Sequence, residues 1–284
     1  MMNQIFKEYR FTEKELAARA DGITEKILPD ETDIVLISRL LGCIDLTTLE
    51  GSDTQRKVTD LCRKAQFSAI SERFPDAAAV CVYPSLVKTA VEALKGTAIR
   101  VASVAGGFPS GQTGLKIKLE EVKFAVNEGA DEIDTVISRG KLIGGNETEV
   151  FDELCAIREM CGPTHMKVIL ETGELPSVGY VRRASELAVA AGADFIKTST
   201  GKISEGATAV PFLVMLDTIR EYHDLTGKTI GIKPAGGIRT FRNATVFTAL
   251  LIEILGDAWF CKESFRIGAS SLADDLVDKG LRLV

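Results

Sequence analysis

The sequence predicts a (β/α)8 TIM barrel with a short N-terminal helical extension, and three observations carry that prediction. Eight short apolar runs alternate with amphipathic helical segments, the pattern of a parallel α/β protein. The chain has 284 residues, a length at which eight such units close into one barrel. A doubly wound open sheet is the second choice, but it would carry G-x-G-x-x-G after an early strand, and none follows one here.

Taken in order, the first 40 residues contain helical segments only. TEKELAARADGITEKIL (12–28) reads as a short helix, ended or broken near Gly22 and stopped by Pro29. DIVLISRLLG (33–42) reads as a second. Residues 1–40 are therefore assigned to the extension and 41–284 to the barrel, with no Ser/Gly linker or low-complexity tract between them. The eight strand-like runs are CIDLTTL (43–49), AAAVCVYP (77–84), AIRVASVA (98–105), DEIDTVIS (131–138), MKVILE (166–171), DFIKTS (194–199), TIGIKPA (229–235) and SFRIGAS (264–270). Helical segments such as LKIKLEEVKFAVNEG and VRRASELAVAAG lie between them, each closed by a glycine.

Hydrophobic residues make up 45% of the chain and the formal net charge is −6. That charge argues against nucleic acid or an anionic membrane as partner, so any bound phosphate must be held by local groups. The six cysteines, at 43, 62, 81, 155, 161 and 261, show no C-x-x-C spacing. The N-terminal stretch lacks an apolar signal core, and no apolar run reaches membrane-spanning length. The expectation is a soluble protein of a reducing compartment.

Side-chain alternation then places charges inside the barrel. GADEID and GADFIK repeat the same turn and strand start two βα units apart, so Asp134 and Lys197 take equivalent places on strands 4 and 6. With Ile133 and Ile196 facing the helices, Glu132, Asp134, Phe195 and Lys197 face inward. The same parity turns Asp45, Lys167, Glu171 and Lys233 inward. The barrel mouth is thus expected to hold Asp45, Glu132, Asp134, Lys167, Lys197 and Lys233. Singly, each reads as a structural ion pair; as a set on the C-terminal face, they read as chemistry.

Two inward lysines suggest which chemistry. A desolvated lysine beside another cation becomes a free amine near neutral pH and attacks carbonyls to form a Schiff base. Lys197 is the expected nucleophile, Lys233 the cation that keeps it neutral, and Asp134 a proton relay through water. Phosphate is expected on the loops after strands 7 and 8, PAGGIR and GASS, through Gly236, Gly237, Ser270 and Ser271, with Gly201 and Lys202 closing a third side. STGK is no Walker motif, because the upstream glycine is missing and Ile203 follows the lysine. A metal site finds little support: the two histidines, His165 before strand 5 and His223 in a helical stretch, are not at strand ends. Cys81 reads as a core thiol with some scope to react with aldehydes.

These residues carry a resemblance. IDLTTLE, AAVCVYPSLV, GGFPSG, GADEIDTVI, KVILETGEL, ADFIKTSTGK, KPAGGIR and FRIGASS run in order from about residue 44 to 271. In them the chain resembles the deoxyribose-phosphate aldolases, class I aldolases on a (β/α)8 barrel. The resemblance implies reversible cleavage of 2-deoxy-D-ribose 5-phosphate to acetaldehyde and D-glyceraldehyde 3-phosphate, without a metal or other cofactor. It implies Lys197 as the Schiff-base residue, Lys233 as the partner that lowers its pKa, and Asp134 as the acid/base. It matches Gly201, Lys202, Gly236, Gly237, Ser270 and Ser271 to phosphate-binding positions, and Asp45 and Lys167 to a supporting network. The implied partners are small phosphosugars and aldehydes, with a homodimer as the expected assembly.

Two departures bear on the loops. Some family members have a VVFPY-like stretch where TVISRGKLIGG follows here, so altered loop contacts are expected. Some also end in a tail with a terminal tyrosine that helps proton transfer; the last tyrosine here is Tyr222. Lower activity, or another group or water in that role, are the two readings. Competing functions are a phosphosugar isomerase or lyase whose lysines act only as fixed charges, and a non-catalytic phosphosugar sensor. The first would form no covalent adduct with an aldehyde, and the second would bind phosphate without turnover.

Overall fold

The computed structural model describes residues 6–26 and 32–283. α1 (Glu13–Thr24) begins in a capping box in which Thr12 and Glu15 satisfy each other's backbone N–H groups. It passes through Gly22 and ends at Thr24, whereas the sequence suggested a break at that glycine. A helical glycine costs about 1 kcal/mol relative to alanine, and here the buried Leu16, Ala20 and Ile23, facing α9 and α10, offset it. Pro29 lies outside the described residues. α2 (Ile34–Gly42), capped by Asp33, packs on the last helix of the chain.

The barrel follows as β1 (Ile44–Thr47), α3 (Gln55–Lys64), β2 (Ala79–Val82), α4 (Val87–Ala93), β3 (Arg100–Ala105), α5 (Leu115–Asn127), β4 (Glu132–Val136), α6 (Arg139–Ile143) and α7 (Glu147–Cys161). It continues with β5 (His165–Ile169), α8 (Val178–Ala190), β6 (Phe195–Lys197), α9 (Ala209–Thr226), β7 (Gly231–Lys233), α10 (Phe241–Leu255), β8 (Ile267–Ala269) and α11 (Leu272–Leu281). The strands pair in parallel in the order β7-β6-β5-β4-β3-β2-β1-β8. Bridges Ile232↔Phe265 and Ala235↔Gly268 bring the two ends together, so the sheet closes and has no free edge.

All eight strands fall where the apolar runs predicted them, but they are shorter. β6 ends at Lys197 rather than Ser199 because the next residues bond sideways. Thr198 Oγ1 accepts from Ala235 N–H at 3.0 Å, and Thr200 bonds Glu171. His165 is the first residue of β5 rather than part of the preceding loop.

Register sorts the inward side chains. Ladder partners include Asp45↔Ala79, Ala102↔Glu132, Asp134↔Lys167, Lys167↔Phe195 and Lys197↔Lys233. In a barrel of shear about eight, neighbouring strands are offset by about one residue along the axis, so alternate strands share a layer. The lowest layer is then Ala79, Glu132, Phe195 and Arg266, and the middle one Asp45, Ala102, Lys167 and Lys233. The top layer is Cys81, Asp134, Lys197 and Gly268. A barrel core is ordinarily apolar; this one is largely charged.

Candidate active site

One carboxylate organises the top of the barrel. Asp134 Oδ2 accepts from Lys197 and from Lys233, both at 2.8 Å, and its Oδ1 accepts from Lys167 at 2.9 Å. Below it, Lys233 Nζ lies 2.5 Å from Asp45 Oδ2, and Lys167 also donates to Glu132. Arg266 completes the base, donating to Asp45 Oδ1 at 2.7 Å and to Glu132 Oε1 at 2.9 Å. None of these seven residues is more than 2% exposed. Desolvating an ion costs several kcal/mol, so only a mutually bonded network holds so many charges inside.

The network does not treat its lysines alike. Burial opposes the charge on Lys233 and Lys167, but the surrounding carboxylates overcome it and hold both ammonium groups above the usual lysine range. For Lys197, burial pushes the ammonium down, Asp134 pulls it up, and Lys233 pushes it down again; the net is a lowered pKa. Lys197 has a share in one carboxylate, whereas Lys233 and Lys167 each face at least two. Burial also opposes ionisation of Asp134, but Lys167, Lys197 and Lys233 hold it well below the carboxylate range. Burial raises the Cys81 thiol to about 11, so at neutral pH it is a thiol.

Above this layer opens a pocket of about 440 Å³. Lys197 lines it, as do Gly201, Lys202, Gly236, Gly237, Ser270 and Ser271. The expectation that six charged residues stand at the mouth is therefore corrected. Asp45, Lys167 and Lys233 lie one layer below Lys197 and Glu132 lies lower still, while Asp134, level with Lys197, is fully buried and does not line the pocket. Strand tilt causes this, since inward parity fixes a side chain's face but not its height.

Glycines shape the side of the pocket built by the loops after β6, β7 and β8. The loops after β6 and β7 touch backbone to backbone: a Cβ on Gly206 would stand 2.3 Å from Gly236 O, and Ala207 N–H donates to that oxygen at 3.1 Å. Gly268 leaves open the space a side chain would fill above Lys233, whose Cε would lie 3.2 Å from its Cβ. Ser271 stands at the N-cap position of α11 without a side-chain capping bond and lines the pocket, so the positive end of that helix faces the pocket. Across the rim, Lys202 Nζ pairs with Glu50 Oε1 at 2.8 Å.

Comparison with known proteins bears on the same residues. Residues 39–274 match the pattern of the DeoC/LacD family aldolases. This chain belongs to the DeoC/LacD aldolase family. The deoxyribose-phosphate aldolase of Homo sapiens is 48% identical over 270 residues, 91% of this chain and 85% of that one. The Mus musculus deoxyribose-phosphate aldolase is 48% identical over 244 residues, 82% of this chain and 77% of that one. Among solved structures, the deoxyribose phosphate aldolase from Aeropyrum pernix superposes with a TM-score of 0.68 at 25% identity, covering 94% of this chain and 99% of that one.

For this DeoC/LacD aldolase, sequence reasoning missed three residues. Arg266 was overlooked although it sits two residues before Gly268 and so shares its inward parity. Thr200 and Glu50 also line the pocket, and neither lies in a regular element whose period would expose it. Glu171 is inward by parity, yet its backbone turns left-handed at φ 54. Its carboxylate therefore meets Thr200 N–H at 3.1 Å and Thr200 Oγ1 at 2.5 Å instead of joining the lysines.

The loop after Asp134 folds as α6. It is anchored by Ser138, whose hydroxyl accepts from Lys118 and donates to Glu153, both at 2.6 Å. His165 lies 3.1 Å from Arg100, and His223 stacks edge-on against Trp259 on the outer face. Among the described residues, no group of three or more His, Cys, Asp or Glu side chains is placed to hold a metal ion, and no helix is long and apolar enough to cross a membrane. Tyr222 lies in α9 against Phe6, in the outer helix layer.

Proposed function

We propose that this protein is a class I aldolase that reversibly cleaves 2-deoxy-D-ribose 5-phosphate to acetaldehyde and D-glyceraldehyde 3-phosphate through a Schiff base on Lys197. One observation carries the reading: of the buried charged network, Lys197 is the member that lines the pocket, and its ammonium is the destabilised one. The identity to deoxyribose-phosphate aldolases supports the substrate. Gly201, Lys202, Gly236, Gly237, Ser270 and Ser271 would bind its phosphate. An isomerase or lyase that never forms a covalent intermediate is disfavoured by the same relatives.

In this reading the Lys197 lone pair attacks the C1 aldehyde carbon, giving a carbinolamine. A proton from the Lys233 ammonium, passed through Asp134 and a water, lets the hydroxyl leave as water and forms the iminium. A base takes the proton of the C3 hydroxyl, and the C2–C3 electron pair moves into the iminium. This releases D-glyceraldehyde 3-phosphate and leaves an enamine on Lys197. Protonation at C2 and hydrolysis free acetaldehyde. Asp134 and Lys233 do not line the pocket, so protons reach the substrate past Lys197 or through water. Asp45 and Lys167 would support the network, and no metal or other cofactor takes part.

The partners in this reading are phosphosugars and aldehydes, not nucleic acid or membrane, with a homodimer as the working assembly. A cytoplasmic setting suits six free cysteines. The deciding experiment is trapping: incubation with acetaldehyde, borohydride reduction and peptide mapping by mass spectrometry. One ethyl group on Lys197, absent in Lys197→Ala, is expected, and Lys197→Met should lose on the order of 10⁴-fold in turnover or more. Folded protein left unmodified at Lys197 would refute the mechanism.

A further inference from the structure

Arg266 has no part in the chemistry above, yet it is among the most deeply enclosed groups of the barrel, 1% exposed. Its guanidinium bonds Asp45 Oδ1 at 2.7 Å, Glu132 Oε1 at 2.9 Å and Glu132 Oε2 at 3.3 Å. Its Nε donates to Lys262 O, and its Cζ lies 5.6 Å from the Phe195 ring centroid. Such a group cannot shed its proton.

The bonded network at the barrel centre holds four cations, Lys167, Lys197, Lys233 and Arg266, and three carboxylates, Asp45, Glu132 and Asp134, while the buried Glu171 bonds Thr200 instead. Arg100 reaches Glu132 at 3.0 Å from the opposite rim, with His165 beside it, but is partly exposed. Cys81 on β2 completes the surroundings and is a thiol at neutral pH.

We propose that Arg266 is a positioning residue for Lys197: by occupying Asp45 and Glu132, it makes Lys197 and Lys233 share a single oxygen of Asp134. Asp45 already meets Lys233 through Oδ2 and Glu132 already accepts from Lys167; without Arg266 each would give its lysine a whole charge rather than a shared one. Asp134 would then be left to Lys197 alone, as a stable ion pair. With Arg266 present, the network carries one cation more than it can neutralise. The excess falls on the lysine with the smallest share of carboxylate, the one that faces the pocket. The inference rests on the Schiff-base reading of Lys197 and adds the group that makes its amine free.

The test is the pH midpoint of imine formation, read as the rate of acetaldehyde trapping by cyanoborohydride across pH. Wild-type protein is run first; no adduct on Lys197 at any pH would defeat the proposed function rather than this inference. Arg266→Met is expected to raise the midpoint by roughly one pH unit, and Arg266→Lys to leave it near the wild-type value. Glu132→Gln, nearly isosteric, should move it down, and the Arg266→Met/Glu132→Gln double variant should return it toward wild type. If Arg266→Met fails to fold, the sign of the Glu132→Gln shift decides. A midpoint unmoved in the variants, with only the amount of active protein reduced, would make Arg266 a structural residue and overturn the proposal.

Discussion

Lys197 and Asp134 stand in one layer of the barrel, on alternate strands, with Nζ and Oδ2 2.8 Å apart. The pair is not an ordinary salt bridge, because Lys233 holds the same oxygen at the same distance. An ammonium that shares its counter-ion in a buried site is poorly compensated. This links the geometry to the free amine that carbonyl attack requires.

Removing Lys233 should therefore change both reactivity and stability. In Lys233→Met, Asp45 and Asp134 lose a buried partner, which should cost about 3–5 kcal/mol in urea unfolding. Lys197 loses the neighbouring cation that pushes it down, so the midpoint of its pH–rate profile should rise by roughly one unit. A midpoint that stays in place while turnover falls would mean that Lys233 serves only as a proton donor.

Acid should unfold the protein through its interior. Burial opposes ionisation of Asp45, Glu132 and Asp134, but the neighbouring cations win and hold all three below their ordinary values of 3.8 for Asp and 4.5 for Glu. Below those values the unfolded chain binds protons that the folded chain refuses, so stability is lost as pH falls. Melting temperature should drop steeply below about pH 4.5 and depend little on these groups above about pH 5. Glu132→Gln should make the acid slope shallower, because one such proton is removed from the balance.

Glu171 should matter for phosphorylated substrate and little for the chemical step. Its left-handed backbone costs about 1 kcal/mol, offset by two bonds to Thr200. The Thr200 hydroxyl in turn accepts the Lys202 N–H at 3.1 Å. Glu171→Ala should raise KM for the phosphosugar roughly tenfold, about 1.4 kcal/mol, while kcat and the KM of an unphosphorylated analogue change little. Steady-state kinetics with both substrates separates these outcomes.

Glu50 should compete with the substrate's phosphate for Lys202, the two side chains being paired at 2.8 Å across the pocket rim. A half-exposed pair of this kind is worth at most about 1 kcal/mol. Glu50→Gln should accordingly lower KM for the phosphosugar by up to about fivefold at low salt, with the advantage fading as salt is raised. An unchanged KM at both ionic strengths would show that the pair is not broken on binding.

Local signals in the sequence were enough for the order and kind of the elements. Eight apolar runs, glycine-closed helices and the repeated GAD turn each act over a few residues, and each reappears at its place in the fold. Inward parity likewise placed Asp45, Asp134, Lys167, Lys197 and Lys233 inside the barrel, since strand alternation is a property of the backbone itself. That Gly201, Gly236, Gly237, Ser270 and Ser271 line one pocket was legible because they follow consecutive strands, whose C-terminal loops must meet at one end.

What the tertiary structure alone decided was height and sharing. Strand tilt sets which inward residues reach the pocket, and it put Lys197 at the surface of the network and Glu132 at its base. Closure of β8 against β1 and β7 brought Arg266 to within 2.7 Å of Asp45, 221 positions earlier in the chain. Pairings of that kind arise from the shear of a closed sheet and from competition among several charges for few carboxylates. Neither is a property of any short segment, so the identity of the lysines could be read from the sequence, but which of them would be left short of a counter-ion could not.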